Sequence, residues 1–351
     1  MVLIQGIGED GRPPLPWLAQ PLADALARGR GHALLLHAAS GNGALAFAFT
    51  LAQSFLCPQP QAGGLACGRC GACRLVAGRS HADLFVLLPE VQRRESGWLL
   101  ADDKEEQKER KPSRQIRIDE VRALIDWTQR TGALGRGKVA LLHPADAMNE
   151  ASASALLKTL EEPPAGTRLL LTAADPAALL PTVLSRCQRL VLAEPPPALA
   201  LPWLAAQGVA QPDVLLAGAG GRPLDALDLA RDGVDAAAWA ALPKAVAAGQ
   251  GGAVAGWPVP RLVDALMKLC HDAMAQAAGG RPRFFPAVPA GASAAALAEW
   301  WRELQRVARD AGHPWNEPLL ADALVTQGRS ALASSNPPRG GRRRLDTLAE
   351  R

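Results

Sequence analysis

Residues 32–53 read HALLLHAASGNGALAFAFTLAQ: a short apolar run, a turn carrying Gly41 and Gly43, then a second apolar run of helical length over 44–56. Strand, glycine turn and helix make the outline of a phosphate-binding loop. In a working loop, backbone N–H groups wrap the phosphates, a Lys reaches the β and γ oxygens, and a Ser or Thr hydroxyl holds Mg²⁺. Laid against G-x-x-x-x-G-K-[ST], this chain keeps only the second glycine, Gly43. Ala38 stands at the first, and Ala44 and Leu45 replace the Lys and the hydroxyl.

The acid half of such a site can be checked separately. A later strand should end in an Asp that holds Mg²⁺, followed by a Glu that activates water. The matching stretch, KVALLHPADAMNE at 138–150, carries His143 and Pro144 at those two places. Two independent losses remove the same thing, the charge that binds and cleaves a nucleoside triphosphate. The expectation is no ATP of its own and no hydrolysis.

Around the loop, short apolar runs at 33–37, 84–88, 138–143 and 168–172 suit buried parallel strands. Between them, Val121, Leu124 and Ile125 lie at helical spacing within 119–130. A further helix over 149–162 opens on Asn149 and stops before Pro163 and Pro164. The alternation predicts a doubly wound α/β domain. After the Pro-rich AEPPPALALP at 193–202 the pattern turns helical. Leu262, Leu266, Leu269 and Cys270 share one helix face, and Leu297, Trp300, Trp301, Leu304 and Val307 another. The paired tryptophans are expected to pack in a core or an interface.

Cys57, Cys67, Cys70 and Cys73 form C-x9-C-x2-C-x2-C. No uncharged run is long enough to span a membrane, and the start lacks the basic flank of a signal peptide. The expected compartment is therefore the cytoplasm, where thiols stay reduced. There the spacing predicts a structural Zn²⁺ held by four thiolates. The Cys four positions further on that an iron–sulfur run needs is absent, because that place is Ala77. His81 is expected to be a loop residue, and Cys187 and Cys270 packed small hydrophobes.

With 351 residues the chain can hold two or three domains. Its 21% charged and 48% hydrophobic residues fit a globular protein, and a net charge of +4 is too mild to argue nucleic-acid binding. The charged segment 90–114 mixes both signs and predicts a solvated surface loop, and the basic stretch 336–351 a disordered tail.

The module inserted after the loop helix, MNEASASALLKTLEEPP at 148–164 and LLPTVLSRCQ at 179–188 together resemble the delta-prime family of bacterial DNA polymerase III clamp-loader subunits, over roughly residues 17–327. The gamma and tau subunits share the cysteine module but keep an intact phosphate loop; Ala44, Leu45, His143 and Pro144 argue against that type. The resemblance implies a P-loop NTPase-like (AAA+) α/β module at 1–194 with a zinc module at 57–80. It also implies a small helical lid at 195–234 and a helical collar at 235–335. The implied partners are gamma/tau and delta subunits in a five-membered ring, acting on a sliding clamp and primer-template DNA within the polymerase holoenzyme. Arg186 is the implied arginine finger, reaching in trans to the neighbour's ATP. The charged segment is longer than the family needs, and His81-Ala82-Asp83 stands where the family usually carries a Pro. Two rivals weigh less. A regulatory nucleotide-binding protein with a variant loop could hold an anion on backbone N–H groups near Ala44. A zinc-module DNA-binding protein would need aromatics among its basic residues, and 57–79 offers only Arg69, Arg74 and Arg79.

Overall fold

The computed structural model describes residues 5–28, 31–98, 112–310 and 315–333. The basic tail and the middle of the charged segment, both singled out above, lie outside the described residues. The chain divides into two compact units. The first runs to Trp203 and includes Arg222–Leu224; the second comprises Leu204–Gly221 and the chain from Asp225 onward.

In the first unit α1 (Ala19–Arg28), β1 (Ala33–His37), α2 (Ala44–Leu56), α3 (Gly71–Ala77), β2 (Leu84–Leu87) and α4 (Glu90–Ser96) come in order. They are followed by α5 (Ile118–Gln129), β3 (Lys138–Leu142), α6 (Glu150–Glu161), β4 (Thr167–Ala173), α7 (Pro181–Leu184) and β5 (Gln188–Val191). All five strands are parallel, in the order β2-β3-β4-β1-β5. The side chains alternate between two cores, which is why the strands read as continuous apolar runs. Leu34, Leu36, Val139, Leu141 and Leu170 pack with α1 and α2. Leu35, Ala140, Leu142, Leu169 and Leu171 pack with Val121 and Leu124 of α5 and Leu156 and Leu160 of α6. The chain leaves β1 for α2 on one face and β4 for α7 on the other. The crevice between two such departures, outside the carboxyl ends of the strands, is where open α/β sheets bind ligands.

Four strands match the sequence expectation to within a residue at each end, and Asn149 caps α6 by accepting the Ser152 N–H at 2.9 Å. The charged segment departs from it. Its start is helical, with Glu90 3% and Arg93 1% exposed, where a solvated loop was expected. Arg93 Nη1 donates to Glu120 at 2.7 Å and to the Leu88 carbonyl at 2.6 Å. Glu90 accepts from Arg94 at 2.6 Å and from the Ser113 N–H at 3.0 Å. Buried charge is tolerated only when paired and hydrogen-bonded. Both conditions are met, but Glu120 lies too far along the chain for any local pattern to announce it.

In the second unit α9 (Pro212–Gly218), α11 (Ala236–Ala247), α12 (Val259–Ala277), α13 (Ala294–Arg309) and α14 (Glu317–Ala333) are packed helices. The division between units falls within α8 (Pro197–Ala206) and α10 (Pro223–Arg231). The two expected stripes are buried on α12 and α13; Trp300 is 3% exposed and Trp301 half-buried. Gly328 of α14 lets Trp300 approach, since a Cβ there would meet its ring at 2.8 Å. Trp239 stacks on Phe285 at 4.8 Å, and the buried Asp272 carboxylate accepts the N–H groups of Arg283, Phe284 and Phe285 at 2.7–2.9 Å.

Candidate functional site

The turn between β1 and α2 keeps the backbone of a phosphate loop. Gly41 and Gly43 have φ of 81° and 95°, which L side chains rarely adopt. Gly43 has a second reason to be glycine: a Cβ there would lie 2.5 Å from Leu15 Cδ1. The segment before α1 is laid against the turn. Trp17 Nε1 donates to the Asn42 carbonyl at 2.9 Å, while Leu15 and Leu18 are fully buried. The Gly41 carbonyl accepts the Leu224 N–H at 3.1 Å. Leu45, at the hydroxyl position, is 4% exposed and belongs to the core under the sheet. The position that would face a metal ion is spent on packing.

The strand ends beside the turn are equally neutral. His143 follows β3, and its Nδ1 lies 2.6 Å from Thr172 Oγ1 on β4. Burial pushes the imidazole down to about 4, so it stays uncharged near neutral pH. The next acid, Asp146, accepts the N–H groups of Ala174 and Asp175 at 3.2 and 3.1 Å and so braces the ends of β3 and β4 against each other.

The four predicted cysteines converge. Their sulfurs all lie within 4.8 Å of one another, with separations of 3.7 Å for Cys57–Cys67, 3.8 Å for Cys57–Cys70 and 4.0 Å for Cys67–Cys73. A tetrahedral thiolate site with Zn–S bonds near 2.3 Å has edges of about 3.8 Å, so the cluster could hold a metal ion. The N–H groups of Cys67, Cys70 and Cys73 donate at 3.4 Å to the sulfurs of Cys57, Cys67 and Cys70. Burial pushes the Cys57 and Cys73 thiols up. Burial acts on Cys67 in the same direction, but the N–H groups of Arg69 and Cys70 and the neighbouring thiols outweigh it and bring it down to about 6. His81 stays outside the cluster, and its Nδ1 accepts the Asp83 N–H at 3.1 Å. Cys187 and Cys270 are buried singly, and burial pushes them up to about 11 and about 12.

The module also grips the start of the described chain. A Cβ on Gly68 would sit 1.7 Å from the Gly8 carbonyl oxygen. Gln61 Nε2 donates to the Gly11 and Ala66 carbonyls at 2.8 and 2.7 Å. Gln53 of α2 exchanges hydrogen bonds of 2.6 and 3.0 Å with both backbone groups of Ile7.

Arg186 follows α7 and its side chain is 30% exposed. It is not bare. Nε donates to Glu161 Oε1 at 2.7 Å, Nη2 donates to the same oxygen, and Nη1 donates to the Thr182 carbonyl at 2.9 Å. Sequence reasoning missed both Glu161 and β5. Two acids at 161–162 oppose the negative end of the α6 dipole, and that local conflict is the signal for a partner.

A parallel sheet whose switch-point turn keeps its glycines and loses its charges defines a phosphate-loop-type α/β domain without a nucleotide-binding side chain at the expected places. Comparison with known proteins narrows this class. A family model described as DNA polymerase III, delta subunit, matches residues 17–196, just over half of the chain, and the chain belongs to that family. It is 42% identical to the DNA polymerase III subunit delta' of Pseudomonas aeruginosa, over 58% of this chain and 57% of that one. It is 36% identical to the Escherichia coli subunit delta', over 58% and 55%. A subunit tau of Salmonella typhimurium is 32% identical over 47% of this chain and 22% of its own length. The chain thus spans a little over half the length of the delta' relatives it matches. None of the described helices is long and apolar enough to cross a membrane.

Proposed function

We propose that this chain is a non-hydrolysing subunit of a DNA polymerase III clamp loader, which helps to place a sliding clamp on primed DNA and donates Arg186 to a neighbour's ATP site. The observation that carries this reading is the pairing of a kept frame with lost charge. The glycine turn, the parallel sheet and Ser185-Arg186-Cys187 persist, while the Lys, hydroxyl and two acid positions are held by Ala44, Leu45, His143 and Pro144. A fold held for its own catalysis would keep Lys and Asp. A fold held as one tile of a ring needs its outer shape and the one arginine it lends to a neighbour.

In this reading residues 1–194 are an AAA+ module, 195–234 a lid and 235–335 the collar that joins gamma/tau and delta subunits in a five-membered ring. Zn²⁺ is the metal of the Cys57, Cys67, Cys70 and Cys73 cluster, with a structural role, because all four corners are protein sulfur. Arg186 acts on charge developing at the γ-phosphate, which a planar guanidinium bridges better than the point charge of a Lys.

The test is reconstitution. The chain should co-elute with gamma/tau and delta subunits on size-exclusion chromatography. Arg186→Ala should preserve assembly while lowering DNA-stimulated hydrolysis by the complex, with Arg189→Ala as the control of smaller effect. The loss should be partial, because neighbouring subunits keep arginines of their own. Failure to join the ring, or a wild-type rate for Arg186→Ala, contradicts the reading.

A further inference from the structure

We propose that Glu161 is a positioning residue for Arg186, holding the guanidinium by its Nε–Nη2 edge so that the adjoining end edge, between the two terminal nitrogens, is presented to an anion outside the chain. This rests on the finger role given to Arg186 above and deepens it.

A guanidinium carries five N–H donors in a fixed plane. Glu161 Oε1 takes the edge formed by Nε, at 2.7 Å, and Nη2. On the far side Nη1 donates to the Thr182 carbonyl at 2.9 Å and to Ser185 Oγ at 3.3 Å. Those two oxygens are themselves hydrogen-bonded at 3.1 Å and so lie closer together, as seen from Nη1, than its two N–H bonds do, which lets one N–H serve both. With that bond shared, one N–H remains on each terminal nitrogen, and no other described residue accepts from Arg186. These two form the end edge of the fork, the edge suited to two oxygens of one phosphate.

The pair is poorly explained by stability. Glu161 is the last residue of α6, where the negative end of the helix dipole disfavours an anion. A solvent-exposed ion pair returns little stability, and the Glu161 side chain is 47% exposed. The two effects offset each other. Orientation is what is left. The base is firm, because His32 Nε2 is 2.8 Å from the Leu160 carbonyl one residue before Glu161. Without Glu161, the side chain would swing about its long axis, and misplacing a group by about 1 Å can cost on the order of 10²-fold in rate.

The experiment uses the full chain in the reconstituted complex, with assembly and zinc content checked for each variant. Glu161→Ala should lower kcat for DNA-stimulated ATP hydrolysis by roughly two- to tenfold, less than Arg186→Ala, with KM for ATP unchanged. Glu161→Gln keeps an acceptor oxygen and should recover part of the loss. The double variant should match Arg186→Ala alone, because a residue that acts through Arg186 has nothing to position once it is gone. A wild-type rate for Glu161→Ala beside an impaired Arg186→Ala overturns the positioning role and leaves the finger standing. A rate above wild type for Glu161→Ala makes the carboxylate a restraint, and losses that multiply in the double variant make it independent; either overturns the proposal. A wild-type rate for Arg186→Ala removes the finger reading on which it rests.

Discussion

The turn after β1 and the cysteine module lie at the two ends of the 13-residue α2 and have kept opposite things. In the turn the backbone survives: Gly41 and Gly43 stay left-handed, while Ala44, Leu45 and the leucines and indole of 15–18 have replaced chemistry with packing. In the module the side-chain chemistry survives: four sulfurs stand at near-tetrahedral spacing. Backbone shape is enough where a surface has to fit. A metal site fails with the loss of one ligand, because its binding free energy is folding free energy.

The largest expected effect breaks the second half of that contrast. Cys70→Ala should release the metal, and structural Zn²⁺ binding in small modules is worth about 10–16 kcal/mol in apparent terms. The first unit should then lose its cooperative thermal transition, or melt far lower, and the segment held by Gly68 and Gln61 should become protease-sensitive. Elemental analysis showing the same zinc content as wild type would sink the assignment.

Acid should probe the first half. His143 is neutral in the folded chain, with its pKa depressed from an ordinary value near 6.5 to about 4. The unfolded chain takes up a proton below about 6.5 that the folded chain refuses. The associated stability is fully present above that pH and is lost as pH falls toward about 4, at most about 3 kcal/mol in all. Denaturant midpoints measured from pH 7 to pH 4 should fall less steeply in His143→Asn. Parallel pH profiles for the two proteins would rule this out.

Smaller still is Gly43→Ala. It forces φ of 95° on a side chain and drives a Cβ to 2.5 Å from Leu15, a strain of about 1–3 kcal/mol. A variant as stable as wild type by chemical denaturation would mean that the turn no longer needs its inherited backbone.

What the sequence made legible was what local pattern encodes. Four strands announced themselves as apolar runs, α5 by helical spacing, and α6 by a capping Asn and a Pro-Pro stop. The cysteine spacing named a cluster before any geometry was known. What stayed hidden was non-local. β5 is four residues at a sheet edge, Gln188–Val191, and it opens on the polar Gln188 and Arg189, so its apolar run is too short to stand out as a strand. The helix at Glu90–Ser96 lies in a charged run and is buried through Glu120. Trp17 contacts the turn only once the chain has doubled back on itself. Arg186 was singled out by its motif, but Glu161 at its side was visible only as an acid at the wrong end of a helix.

The account's central claim is that this chain has kept the frame of a nucleotide site and lost the site. Calorimetric titration of the zinc-loaded full-length chain with Mg-ATP tests it most directly. The expected result is no saturable heat up to about 1 mM ligand, an affinity weaker than about −4 kcal/mol. A micromolar dissociation constant would contradict it, because the backbone N–H groups at Gly43 and Ala44 would then bind phosphate without Lys, hydroxyl or acid.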